Sequence, residues 1–142
     1  MALRKDAKVE LIRKVPLFGQ LSRRELEQVA SISDELDFPA GKVLIREGRA
    51  GREFFVLLEG SVEVRKGERR LKALGAGDFA GEIALVSRIP RIATVTTTSP
   101  VRALVISERS FRALLQRTPS VQLKVLQALA VRLAETLAEP TL

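Results

Sequence analysis

The sequence predicts a mostly β fold with flanking helices: a jelly-roll or double-stranded β-helix barrel, entered through N-terminal helices and left through a long C-terminal helix. Six short β-rich runs, KVLIRE, EFFVLLE, SVEVRK, ERRLKAL, IATVTTT and VRALVI, lie between Glu35 and Ile106. Glycines at 41, 48, 51, 60, 67, 75, 77 and 81 separate most of them at intervals suited to turns. Helical periodicity governs the residues on either side of that region. Many short antiparallel strands with glycine turns close most simply into a small barrel or roll.

Each element has a local reason. Val9, Leu11 and Ile12 suggest a short first helix, which ends before VPLFG because Pro16 resists continuation. In QLSRRELEQVASIS, Ser22 is an N-cap with Glu25 three positions on, and Leu21 and Leu26 stand where a hydrophobic staple places them. SVEVRK alternates Val62 and Val64 against Ser61, Glu63 and Arg65, as a strand with one buried face does. Ser107 is the next N-cap, with Ile106 and Phe111 in staple positions, and Thr118 followed by Pro119 starts a last helix that runs to about Ala138. Along it Leu123, Leu126, Ala130, Leu133 and Leu137 follow a 3-4-3-4 spacing, and Val125 and Leu129 widen the stripe to a second face. The stripe is expected to cover the β core along one edge and to offer the other to a second copy of the chain.

At 142 residues the chain has the size of one domain, expected over 1–142 with N-terminal helices in 1–34, a β-roll in 35–106 and C-terminal helices in 107–138. It contains neither cysteine nor histidine, which removes disulfides, thiolate metal sites and the commonest general base. No enzyme activity, metal or cofactor is therefore expected; a cupin-like metal site in particular lacks its histidines. Charges recur every few residues in MALRKDAKVELIRK, and no run of roughly 18 apolar residues occurs, so a cytoplasmic chain without membrane insertion is expected. The net charge of +7 raises a nucleic-acid reading. However, Arg4, Lys5, Lys8, Arg13, Lys14, Arg23 and Arg24 sit on amphipathic helical patterns whose charges form a solvated face, and no direct nucleic-acid contact is expected.

The stretch GEIALVSRIPRIATV places Glu82 and Arg91 inside a mostly apolar run that also holds Arg88. A core rejects a charge unless it is paired or bound. Read as a turn or two of helix, Gly81 to Val86 leaves the N–H groups of Ile83 and Ala84 without intrahelical partners, and Gly81 and Ala84 let an anion approach. Arg91 supplies a planar fork for two phosphate oxygens, whereas Glu82 can only accept, and so suits a hydroxyl or a cation. A ribose phosphate meets both demands; so does a direct Glu82–Arg91 pair across the loop.

The stretch GDFAGEIALVSRIPRIATV, with its short helix, Pro-Arg pair and following Ala-Thr, resembles the phosphate-binding cassette of the cyclic nucleotide-binding domain family, here residues 77–95. VPLFGQLSRRELEQVA looks like the family's N-terminal helical motif, and FPAGKVLIREGRAGREFFVLLEGSVEV is similar to its first glycine-marked strands, so the resemblance covers nearly the whole chain. It implies that Arg91 pairs with the cyclic phosphate and Glu82 accepts from the ribose 2′-hydroxyl, with backbone contacts from Gly81, Ile83 and Ala84, and with Ile92 and Ala93 completing the site. Ala80 stands where the family commonly has an aromatic residue. Ile92 stands where cyclic-GMP-selective relatives place a threonine against the guanine, so the implied ligand is cyclic AMP rather than cyclic GMP; facing inward, Ile92 would crowd the pocket.

The resemblance further implies a sensor that signals through movement of the C-terminal helix. Leu129 and Leu133 are the expected base cap, since the chain has no Trp or Tyr to stack on a base. No helix-turn-helix follows that helix before EPTL. The alternatives are a fold-retaining structural or dimerisation module with weak or no nucleotide binding, and the sensor part of a longer transcription regulator, channel or kinase.

Overall fold

In the computed structural model, which describes residues 3–138, α1 (Lys5–Arg13), a 3-10 turn (Pro16–Phe18) and α2 (Arg23–Ser31) precede eight strands. These are β1 (Ser33–Phe38), β2 (Val43–Ile45), β3 (Glu53–Glu59), β4 (Val62–Lys66), β5 (Arg69–Leu74), β6 (Phe79–Ala80), β7 (Thr94–Thr97) and β8 (Val101–Ser107). A second 3-10 turn (Glu82–Leu85) lies between β6 and β7, and α3 (Glu108–Arg117) and α4 (Pro119–Ala138) follow β8. The outer ends of the expected 1–142 span, with the EPTL terminus, lie outside the described residues. The chain forms two compact units, one of Ile32–Arg112 and one of Leu3–Ser31 with the segment from Ala113 onward.

The first unit is two four-stranded antiparallel sheets, ordered β1-β8-β3-β6 and β2-β7-β4-β5. Each predicted β-rich run forms a strand. Ile45, Val62, Val64 and Val95 from one sheet and Phe55, Leu57, Val101, Ala103 and Val105 from the other form a single cluster, with Phe38, Leu74, Ala80 and Ala93 packed against it. Phe38 meets Phe55 edge-on at 6.2 Å between ring centres. In β3, Phe54, Phe55, Val56 and Leu57 are all buried, so this strand is covered on both faces and reads as a continuous apolar run rather than an alternation. Two strands fall outside the predicted runs: β1, whose sequence SDELDF is rich in the acidic residues that strands disfavour, and the two-residue β6.

Of the eight marker glycines, 41, 48, 60, 67, 77 and 81 have the positive φ that turns require, whereas 51 and 75 do not. Gly60 between β3 and β4 combines φ +90° with a fixed obstacle: a Cβ there would stand 2.2 Å from the main-chain oxygen of Pro100. Gly60→Ala is therefore expected to destabilise the roll by about 2 kcal/mol, through left-handed strain and overpacking together. A urea midpoint equal to wild type would contradict this.

In the helical unit, the Ser22 Oγ accepts from Glu25 N at 3.2 Å and Glu25 Oε1 accepts from Ser22 N at 2.8 Å, which is the expected capping box. Leu21 and Leu26 are both buried. Before it, VPLFG makes the 3-10 turn, with Leu17 and Phe18 buried. In the β-roll unit, Ser107 caps α3 by accepting from Ser110 N at 3.1 Å. The α4 stripe requires a correction. The buried face is Val121, Val125 and Ala128, while Leu123, Leu126, Leu133 and Leu137 are exposed, Leu137 at 73%. The helix is apolar nearly all round, and spacing alone did not select its buried face.

Candidate functional site

Arg91 is held at both its main chain and its guanidinium. Its N–H donates to Arg49 O and its carbonyl accepts from Gly48 N, each at 2.8 Å, and Ala50 bridges to Pro90, so the segment Pro90–Arg91 lies antiparallel against the loop before β3. The half-buried side chain then turns to the start of β3, where Nη2 donates to Glu53 O at 2.6 Å and Nη1 donates to Gly81 O at 3.3 Å. Two of the five guanidinium N–H groups are thereby used, which leaves three. Burial lowers the pKa of this group and the Glu53 carboxylate opposes the shift; a guanidinium stays charged throughout the physiological range.

Gly81 adopts φ +87° as the residue that opens the 3-10 turn Glu82–Leu85. That turn buries Glu82, Ala84 and Leu85 and leaves Ile83 exposed at 39%. One sequence expectation is corrected here: the N–H of Ala84 donates to Gly81 O at 3.1 Å, because a 3-10 turn closes its bonds one residue earlier than an α-helix does. Ala84 therefore contributes a small side chain rather than an open donor. Ile92 is 76% exposed and does not crowd the cassette from within, while Ala93 packs against the core cluster.

The structure thus places Gly81, Glu82, Ile83, Ala84, Arg91, Ile92 and Ala93 on one short stretch of the roll. Leu129, half-buried, and Leu133, 61% exposed, belong to the helical unit. Sequence reasoning missed the two carbonyls that hold the guanidinium and the loop that holds the main chain. Gly48 and Gly51, three apart in REGRAGREFF, were the available signal. The cassette is also tied onward. Arg88 Nε lies 3.3 Å from the buried Glu108 at the start of α3, and Arg112 Nε lies 3.0 Å from the same carboxylate oxygen.

Among the described residues no cluster of metal-ligating side chains occurs, and no helix is long and apolar enough to cross a membrane.

The chain and its fold have counterparts among known proteins. A family model described as the cyclic nucleotide-binding domain matches residues 35–118. A cAMP-dependent protein kinase regulatory subunit of Mycosarcoma maydis is 38% identical over 110 residues, 71% of this chain and 21% of that protein. A cGMP-dependent protein kinase, isozyme 1, of Drosophila melanogaster is 34% identical over 115 residues, 75% of this chain and 15% of that protein. The regulatory domain of Toxoplasma gondii PKA, solved with cAMP, superposes with a TM-score of 0.70 at 30% identity, covering 78% of this chain and 44% of that one. The chain spans a minor part of each of these relatives.

Proposed function

Since this chain belongs to the cyclic nucleotide-binding domain family, we propose that it is a sensor for cyclic AMP. The observation that carries this reading is the guanidinium of Arg91, fixed on the carbonyls of Glu53 and Gly81 with three donors unspent. A cyclic phosphodiester keeps its negative charge at neutral pH and offers two oxygens to that fork. Glu82, buried at 8% exposure in the same turn, takes the ribose 2′-hydroxyl. Gly81 and Ile83 line the approach, and Ala93 supports it from the core. Ile92 carries no hydroxyl for a guanine, which favours the adenine ligand over cyclic GMP.

Calorimetric titration of the purified chain with each nucleotide tests the assignment. Micromolar cyclic AMP binding, tighter than that of cyclic GMP, is the expected result. Equal affinities would remove the preference, and no binding by the folded chain would leave a structural module.

The signal leaves through the C-terminal helices. Arg88 of the cassette holds Glu108 at the start of α3, and α3 leads through Thr118 into α4. A ligand that repositions the cassette shifts α4 only if it binds one arrangement better than the other. Leu129 and Leu133 are the residues we assign to capping the base. Hydrogen exchange in α4 is accordingly expected to slow on saturation with cyclic AMP; identical protection with and without ligand would exclude the movement. The exposed residues Leu123, Leu126 and Leu137 suit a second copy of the chain, and a monomer mass by light scattering would remove that reading. In this proposal the chain works in the cytoplasm without catalysis, as the sensing part of a larger regulator, kinase or channel.

A further inference from the structure

Gly51 has no conformational reason to be glycine. Its φ lies outside the left-handed region, and glycine loses more chain entropy on folding than alanine does. The sequence suggested a turn marker, like Gly48 or Gly60. The surroundings suggest otherwise. A Cβ built on Gly51 would stand 1.9 Å from Arg91 Nε, 2.2 Å from Cζ and 2.7 Å from Cδ, with no other residue among the three nearest atoms. The bare Cα of this buried residue therefore lies against the guanidinium, whose two Nη groups reach past it to Glu53 O and Gly81 O. Gly75, which also has an ordinary φ, meets nothing within 4 Å, so such proximity is not a general property of the glycines in this chain. Gly81 touches the same side chain, with Nη1 2.5 Å from its virtual Cβ, but its positive φ already accounts for it.

We propose that Gly51 is a positioning residue for ligand binding: its missing side chain is the seat on which Arg91 is held flat for the cyclic phosphate. The inference rests on the reading of Arg91 as the phosphate ligand and adds what fixes its direction. A methyl group at position 51 collides with a movable side chain and not with main chain. The fold therefore survives, while the guanidinium leaves its two carbonyls and its plane tilts. Since the Arg91 main chain is pinned to Arg49 and Gly48, the side chain cannot recover by a shift of the whole segment.

The test measures cyclic AMP affinity and thermal unfolding for wild type, Arg91→Ala, Arg91→Lys, Gly51→Ala and Gly51→Ala combined with Arg91→Lys. Gly51→Ala is expected to unfold at or slightly above the wild-type temperature, because an ordinary φ accepts alanine and the unfolded chain loses freedom. Its affinity for cyclic AMP is expected to fall about 10-fold to 100-fold, the range in which overpacking by one group falls. With lysine at position 91, whose slender ammonium has no plane to seat, the same substitution should cost less than about threefold. A Gly51→Ala chain that binds like wild type would overturn the proposal. So would an equal loss whether arginine or lysine occupies position 91, which would mark a merely structural role. Unchanged affinity in Arg91→Ala alone is a separate result, and it would overturn the ligand reading together with the positioning role.

Discussion

Arg91→Ala is expected to weaken cyclic AMP binding by about 2 to 5 kcal/mol, roughly 30-fold to several thousand-fold, while leaving the fold in place. The magnitude follows from what the substitution leaves behind. A bound phosphodiester without its cation bears most of its desolvation unrelieved, and the unpaired ion contributes more to the loss than the missing attraction does. The fold is spared because the guanidinium is held by main-chain carbonyls, Glu53 O and Gly81 O, which water can reach once the side chain is gone. Arg91→Lys should fall between the two, since it keeps the charge and loses the fork. Both the guanidinium and the phosphodiester stay charged over roughly pH 5 to 9, so the attraction between these two groups should not itself change across that range. Calorimetry with cyclic AMP at three pH values measures all of this, and an Arg91→Ala affinity equal to wild type would end the assignment.

What the sequence made legible was local. The capping box at Ser22 and Glu25, the cap at Ser107 and the Thr118-Pro119 start each depend on residues within three or four positions, and each appears where the pattern placed it. The strands with strong β composition were equally plain. β1 was not, because its acidic residues mark it as a loop while its pairing with β8, from Ser33 with Ile106 to Phe38 with Val101, makes it a strand. Tertiary pairing overrode propensity there. In the site, the charged pair was readable because buried charge is rare, but its holders were not. Glu53 acts through its carbonyl oxygen, which every residue type carries, and Gly51 acts through an absent side chain whose neighbour is 40 positions away. The face of α4 was misjudged for a third reason: an apolar helix offers several rows, and a contact far along the chain decides which is buried.

A long-range ion pair supplies the second large effect. Glu25, the N3 residue of the capping box, is 6% exposed and accepts from Lys124 Nζ of α4 at 2.6 Å, across 99 positions of sequence. Burial would raise its pKa, but the hydrogen bonds from Lys124, Ser120 and Ser22 outweigh burial and bring it down to about 2 from 4.5. A carboxylate whose folded pKa lies below its unfolded value stabilises the folded state fully above the unfolded pKa. That contribution is lost as pH falls through the folded one. The shift corresponds to about 3 kcal/mol, present at pH 7 and removed progressively between about pH 4.5 and pH 2. Glu25→Gln should therefore be less stable than wild type at pH 7 by about that amount, and the gap between the two should close toward pH 2. Lys124→Met should cost as much or more, about 3 to 5 kcal/mol, because it strands a buried carboxylate, and it should raise the pKa of Glu25. Urea unfolding of the three chains across this pH range gives the comparison. Because other carboxylates also protonate there, the difference between wild type and Glu25→Gln is the quantity that decides. A constant difference from pH 7 to pH 2 would mean that Glu25 stabilises through packing and its cap, and that the ion pair between α2 and α4 contributes nothing net.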